Sequence, residues 1–263
     1  MNTESYLRSR GLYTMKCKYE ICDLNIYRYS MPLIASNMYI ILKGEEALIV
    51  DPNESEEALK LLIDRRVKRA AVILTHEHYD HISGVNAVRE LVPDCVVYGS
   101  RCCRQRVLVP EDNLSAYFAA IFIDRSEEER KQALEIFRND YRCSVDVDFK
   151  GEYDILWNDI RLHMVETPGH SPGSICIVAS VVNDIETNTL SGAKAGGGKA
   201  EQEKILFSGD SLIRDTKVIT RLPGGDKEIY RMVTKPFLDA FPDGTIVFPG
   251  HGEEFKISRT DSL

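Results

Sequence analysis

The sequence has no apolar run long enough to cross a membrane, for which about 20 consecutive apolar residues are needed. Its N-terminal segment also lacks the apolar core of a secretory signal. The expectation is therefore a cytoplasmic protein with reduced thiols and no membrane partner. Cysteine numbers seven, an odd count, and no pair has Cys-x-x-Cys spacing, so a thiolate zinc site and thioredoxin-like chemistry are excluded. Cys102 and Cys103 are neighbours, and adjacent cysteines rarely form a relaxed disulfide. Basic charge is in deficit, with 33 Lys and Arg against 41 Asp and Glu and a net charge of −8, which argues against a nucleic-acid backbone as main partner. Two short basic clusters, Asp64 to Arg69 and Arg101 to Arg106, read as solvated helix ends. Histidine is scarce as well, six residues in 263, which makes its placement informative.

Half of those histidines fall in His76-Glu77-His78-Tyr79-Asp80-His81, directly after the apolar run Ala70 to Leu74. Neutral imidazole and carboxylate are the donors that Zn²⁺ and similar divalent ions prefer. A metal site at the C-terminal end of a buried strand follows, where α/β sheets usually bind ligands.

The length fits one domain, 1–263, with a large core. Lys18 to Tyr29 reads as a strand region, Asn37 to Leu42 and Ala47 to Val50 as strands. Asp51-Pro52-Asn53 is a turn with Asn53 in the left-handed position. Glu54 to Arg66 has helical spacing, and Ile82 to Leu91 follows the histidine cluster as a helix before a strand at Cys95 to Tyr98. This alternation points to a layered α/β fold. Residues 100–142 form a helical insert: Asn113 to Phe122 and Ser126 to Phe137 read as helices, the second opening with Ser126 and Glu129 as a capping box. The insert is either a hairpin packed on the core or a lid whose aromatics face substrate. Strands return at 145–148, 153–157, 160–165, 174–182 and 204–207, with a glycine-rich flexible hairpin loop at 183–203. Asp226 to Phe241 reads as a helix and Thr245 to Phe248 as a last buried strand. Two βαβ-like halves would divide near residue 150.

Three more strand ends each deliver one potential ligand beside glycine: Pro168-Gly169-His170-Ser171-Pro172-Gly173, Ser208-Gly209-Asp210-Ser211 and Pro249-Gly250-His251-Gly252. Together with Asp51 and the cluster, in this order, they resemble the metallo-β-lactamase-fold hydrolases along most of the chain. Within them the glyoxalase II-like (hydroxyacylglutathione hydrolase-like) group is the most similar, through Arg221-Leu222-Pro223-Gly224-Gly225-Asp226. The resemblance implies an αββα sandwich with two metal ions at one edge. It also implies that His76, His78 and His170 hold one ion, that Asp80, His81 and His251 hold the other, that Asp210 bridges them, and that Asp51 supports the ligands from behind. His163 is left over as an ordinary strand residue.

The chemistry this implies is hydrolysis of an ester-like bond in a small molecule, a thioester in the first instance, by a hydroxide bridging two divalent ions. Asp80 and Asp210 would orient the nucleophile and accept its proton. Zn²⁺ is the favoured metal, with Fe or Mn²⁺ compatible with the same donors. The C-terminal helical segment that helps the glyoxalase II-like group bind glutathione has no counterpart after His251, a departure that counts against glutathione-thioester specificity. Other readings of the same pattern are a lactonase of the acyl-homoserine-lactone type, a phosphodiesterase or nuclease relative, and a mononuclear iron sulfur dioxygenase. A non-catalytic metal-binding module would have lost a ligand, and all seven are present. A flavodiiron protein would carry Glu where His78 stands. The substrate-selecting pocket is expected in the 100–142 insert and around Arg221 to Asp226, and the sequence leaves the oligomeric state open.

Overall fold

The computed structural model describes residues 15–21, 24–31, 33–182 and 204–258; the loop expected at 183–203 lies outside the described residues. Seven strands form one sheet in chain order: β1 (Met15–Ile21), β2 (Leu24–Ser30), β3 (Asn37–Lys43), β4 (Glu46–Val50), β5 (Arg69–Ile73), β6 (Asp94–Ser100) and β7 (Val147–Phe149). The first four pair antiparallel, while β4 through β7 run parallel. The parallel pairs require crossovers. These are α1 (Glu56–Asp64) before β5, α2 (Tyr79–Ile82) with α3 (Val85–Leu91) before β6, and the helical insert before β7. The second sheet holds β8 (Glu152–Trp157), β9 (Ile160–Glu166), β10 (Ile175–Val181), β11 (Ile205–Gly209), β12 (Ile246–Pro249) and β13 (Phe255–Lys256), in the order β13-β12-β11-β10-β9-β8. The chain passes from one sheet to the other between β7 and β8, at the division expected near residue 150.

Side-chain alternation along the strands builds the layers. On the first sheet Ile26, Tyr39, Ile41, Leu48, Val50 and Ile73 face inward and meet Ile177, Phe207 and Phe248 of the second. Each of those large side chains contributes about 1.5–3 kcal/mol on burial. The intervening residues Tyr27, Met38, Ile40, Ile49 and Val72 face outward and are covered by Leu61 and Leu62 of α1 and Val85 and Val88 of α3. On the far side of the second sheet, Cys176, Leu206 and Val247 pack against Leu238 and Phe241. The result is the αββα sandwich expected from the sequence.

The strand region expected at 18–29 is a hairpin, β1 and β2 with Ile21 opposite Leu24. Two local expectations need correction. In the 51–53 turn Asp51, not Asn53, takes the left-handed conformation, at φ 51°. The Asn53 amide is committed to the Tyr29 and Ser36 carbonyls, 3.1 Å each, and Asp51 to the strand end beside it. Residues 115–122 form a 3₁₀ helix. The helix expected at 226–241 is present from Lys227 to Asp239, with a π-helical segment at Tyr230–Thr234 between α-helical ends. Pro236 has no N–H to give the carbonyl four residues back, and Tyr230 is fixed over Gly169, where a Cβ would overlap it.

The insert settles onto the motif itself. It comprises α4 (Arg101–Arg106), the 3₁₀ helix Ser115–Phe122 and α5 (Glu127–Ile136), which carries the expected Ser126–Glu129 capping box. Tyr79, in the middle of the histidine cluster, is fully buried, with Phe118 at 5.0 Å and Tyr141 at 5.3 Å, ring centre to ring centre. Its hydroxyl accepts the Arg138 N–H at 2.9 Å. The aromatics Phe118, Phe122 and Phe137 thus face the core, as the hairpin reading requires and the lid reading does not. Replacing Tyr79 with Ala removes the anchor of the insert and should cost about 3–5 kcal/mol. Urea unfolding measures this, and a loss below about 1 kcal/mol would show that the insert docks independently of the cluster.

Candidate metal centre

Each predicted ligand arrives at a strand end or in the turn after it. His76 and His78 follow β5, Asp80 and His81 lie in α2, His170 in the turn between β9 and β10, Asp210 after β11 and His251 after β12. The structure gathers all seven. Donor atoms of His76, His78 and His170 cluster within 4.8 Å of one another, as do those of Asp80, His81 and His251. Asp210 stands between the two groups, its Oδ2 3.4 Å from His170 Nε2 and 3.5 Å from His251 Nε2, and its Oδ1 3.5 Å from His81 Nε2. Gly250 permits that approach, because a Cβ there would overlap Asp210 Oδ1. His163 lies apart on β9, partly exposed beside Asp154.

The polar groups behind the ligands fix which ring nitrogen faces inward. Asp51 accepts the Thr75 N–H at 2.7 Å and the Thr75 hydroxyl at 2.6 Å, and His81 Nδ1 lies 3.0 Å from its Oδ2. With its proton given to Asp51, Thr75 Oγ1 is an acceptor for His76 Nδ1–H at 3.0 Å. His170 Nδ1 donates to the Ile219 carbonyl at 2.8 Å, and His251 Nδ1 to the Ile34 carbonyl at 3.2 Å. Hydrogen bonds of this kind set the tautomer of metal-binding imidazoles. They turn Nε2 of His76, His81, His170 and His251 toward the centre.

That arrangement fits metal ions. His81 Nε2 and His251 Nε2 lie 3.3 Å apart, with Asp80 Oδ2 at 3.4 Å from the first and 3.3 Å from the second. Two nitrogens bound at about 2.0–2.1 Å to one tetrahedral ion are about 3.3 Å apart. His76 Nε2, His78 Nε2 and Asp210 Oδ1 are buried with no hydrogen-bond partner, although buried polar groups are nearly always satisfied. Burial, with neighbouring imidazoles adding to it, holds His76 well below the usual histidine range and takes His78 down to about 3, so both are neutral donors at physiological pH, as ligation requires. At Asp80 burial acts upward, but His81 and His251 outweigh it and hold the carboxyl well below its usual range. Asp210 is lowered by His251, His81 and His170, again against burial.

A cavity of about 460 Å³ opens on the centre, lined by His170, Asp210 and His251 together with Ile213, Arg214, Thr216, Lys217, Ile219 and Glu253. None of its lining residues comes from the 100–142 insert. The start of the insert, Arg101, Cys102 and Gln105, and the 224–226 segment line a separate cleft of about 540 Å³ on the other side of the Gly169–Pro172 turn. Sequence reasoning missed Thr75, the Ile219 and Ile34 carbonyls, and the 213–219 wall. A hydroxyl just before the first ligand was a usable sign of Thr75, whereas a backbone carbonyl leaves no mark in composition. In the basic cluster Arg101 to Arg106, Arg101 and Arg104 pair with Asp148, and Arg106 with Glu77 and Asp112.

Comparison with known proteins agrees with the geometry. The model of the metallo-beta-lactamase superfamily matches residues 31–183, more than half of the sequence, and the chain belongs to that superfamily of metallo-hydrolases. The probable metallo-hydrolase YqgX of Bacillus subtilis is 28% identical over 225 residues, 85% of this chain and 88% of that protein. A hydroxyacylglutathione hydrolase of Actinobacillus pleuropneumoniae is 29% identical over 126 residues, 46% of this chain and 54% of that one. Among solved structures, the BLEG-1 B3 metallo-beta-lactamase shares the fold with a TM-score of 0.62 at 24% identity, covering 92% of this chain and 94% of the other. Among the described residues no helix is long and apolar enough to cross a membrane.

Proposed function

We propose that this protein is a dinuclear metal-dependent hydrolase of small acyl compounds, with thioesters as the first substrate class. The observation that carries the reading is the Asp210 carboxylate, placed between the His170 side and the His81–His251 side of one buried cluster. His76, His78 and His170 would hold one ion, Asp80, His81 and His251 the second, and Asp210 would serve both. Zn²⁺ is the metal this nitrogen and oxygen donor set favours, with Fe or Mn²⁺ compatible. Bound divalent ions supply Lewis acidity and lower the pKa of a coordinated water from 15.7 to about 7.

The protein's own groups do the rest. The carboxylates of Asp80 and Asp210 accept hydrogen bonds from the attacking water and take up its proton. Ile213 and Ile219 give the cavity apolar walls for an acyl chain, while Arg214 and Lys217 offer positive charge to an acidic substituent. The support for thioesters is the match to the hydroxyacylglutathione hydrolase and the Arg221 to Asp226 segment. The separating experiment is metal analysis of the purified chain combined with a panel of thioesters and lactones. Two metals per chain and thioester turnover are expected. Lactone turnover alone would replace the substrate class, and a single iron with oxygen uptake on a persulfide would overturn the hydrolase reading.

A further inference from the structure

Glu77 is the residue of the histidine cluster that the proposed centre does not use. It lies between His76 and His78, and in extended chain its side chain points away from theirs. Its carboxylate is fully buried. Arg106 Nε donates to Glu77 Oε1 at 2.6 Å, and the Ser171 hydroxyl donates to Oε2 at 2.9 Å. Ser171 is the neighbour of His170. The same guanidinium reaches the Asp112 carbonyl at 3.2 Å and the Pro223 carbonyl at 3.4 Å. Gly173 completes the enclosure: a Cβ there would overlap Glu77 Oε2 and press on the Cys103 backbone. Ser100, which caps α4, donates to the Gly173 carbonyl at 2.9 Å.

One carboxylate thus joins the segment bearing His76 and His78 to the turn bearing His170, and Arg106 ties both to α4 and to the 221–226 loop. These are the two segments whose separation sets the geometry of the three-histidine group. No corresponding link runs from Glu77 to Asp80, His81 or His251 among the described residues. We infer that Glu77, braced by Arg106, is a positioning residue that holds the three-histidine group at ligating geometry and leaves the Asp80–His81–His251 group largely independent. The inference rests on the two-site reading of the centre. Partners one step behind metal ligands typically contribute 10–100-fold to metal affinity, and a fully buried charge that must stay paired belongs at the upper end of that range.

The test is Zn²⁺ binding to the full chain in competition with a chromophoric chelator, resolved into its steps. His78→Ala identifies the step that belongs to the three-histidine group. For Glu77→Gln, which keeps the shape and removes the charge, that step should weaken by about 10–100-fold while the other changes by less than about threefold. Ser171→Ala cuts the link from Glu77 to the His170 turn, together with a 2.9 Å hydroxyl contact to Ser174 inside that turn, and should weaken the same step by a smaller factor, which keeps the inference testable if Glu77→Gln does not fold. Wild-type chain that binds fewer than two Zn²⁺ would defeat the two-site reading itself. Wild-type chain that binds two, with both variants binding both ions at wild-type affinity or losing the two equally, would overturn the positioning role alone.

Discussion

Asp210→Ala is expected to lower kcat/KM by about 10³-fold or more, ~4 kcal/mol of transition-state stabilisation, and to lower metal content at the same time. The cause is placement. Asp210 approaches His170, His251 and His81 with its two oxygens, so it touches both halves of the centre. Without it, two cations would share a buried site with one counter-charge fewer, and the water-orienting oxygen at the middle would be gone. Asp210→Asn separates the two contributions, because an amide keeps one acceptor oxygen but carries no charge. It should retain more metal than the alanine variant and still turn over slowly. Activity of Asp210→Ala within tenfold of wild type, measured on the best thioester with full metal supplementation, would refute the shared role.

The sheets and the seven-residue cluster could be read from the sequence because both follow from local pattern. Buried strands are short apolar runs, and four of them end in a glycine-bracketed or histidine-rich turn, so strand ends and ligands announced each other. What could not be read depends on distant neighbours. Glu77 is an acidic residue in a polar string until Arg106 and Ser171 fold against it. Asp51 was legible as an acid near the ligands, but its left-handed backbone follows from Thr75 occupying its carboxylate. The helix at 226–241 was legible from its apolar stripe, but its widening into a π-helical segment where Tyr230 meets Gly169 was not. The aromatics of the insert fit a lid and a core equally well until Tyr79 is seen among them. Pocket walls are the hardest case, since Ile213, Lys217 and Ile219 come from a stretch without periodicity.

Stripping the metal should destabilise the fold strongly, and more at higher pH. A ligand present at 1,000 times its dissociation constant adds about 4 kcal/mol per site, and for a chain of this size each kcal/mol moves Tm by about 2–4 °C. Chelation is therefore expected to lower Tm by roughly 10 °C for each site emptied. The pH dependence follows from His81. Burial lowers its pKa, but Asp80, Asp210 and Asp51 outweigh that and hold it up to about 10 in the metal-free protein. A folded-state pKa above the ordinary 6.5 means that the bound proton stabilises the stripped fold fully below pH 6.5, and that this help fades as pH rises toward 10. His251 is raised as well, by Asp210 and Asp80 against burial, and acts in the same direction. Metal binding runs the other way, since it displaces those protons and tightens as pH rises. The Tm gap between loaded and chelated protein should widen steadily from pH 6.5 to 9. Paired thermal melts across that range measure it. A gap that stays constant or narrows would mean that the carboxylates around His81 are not acting as the counter-charge for a cation.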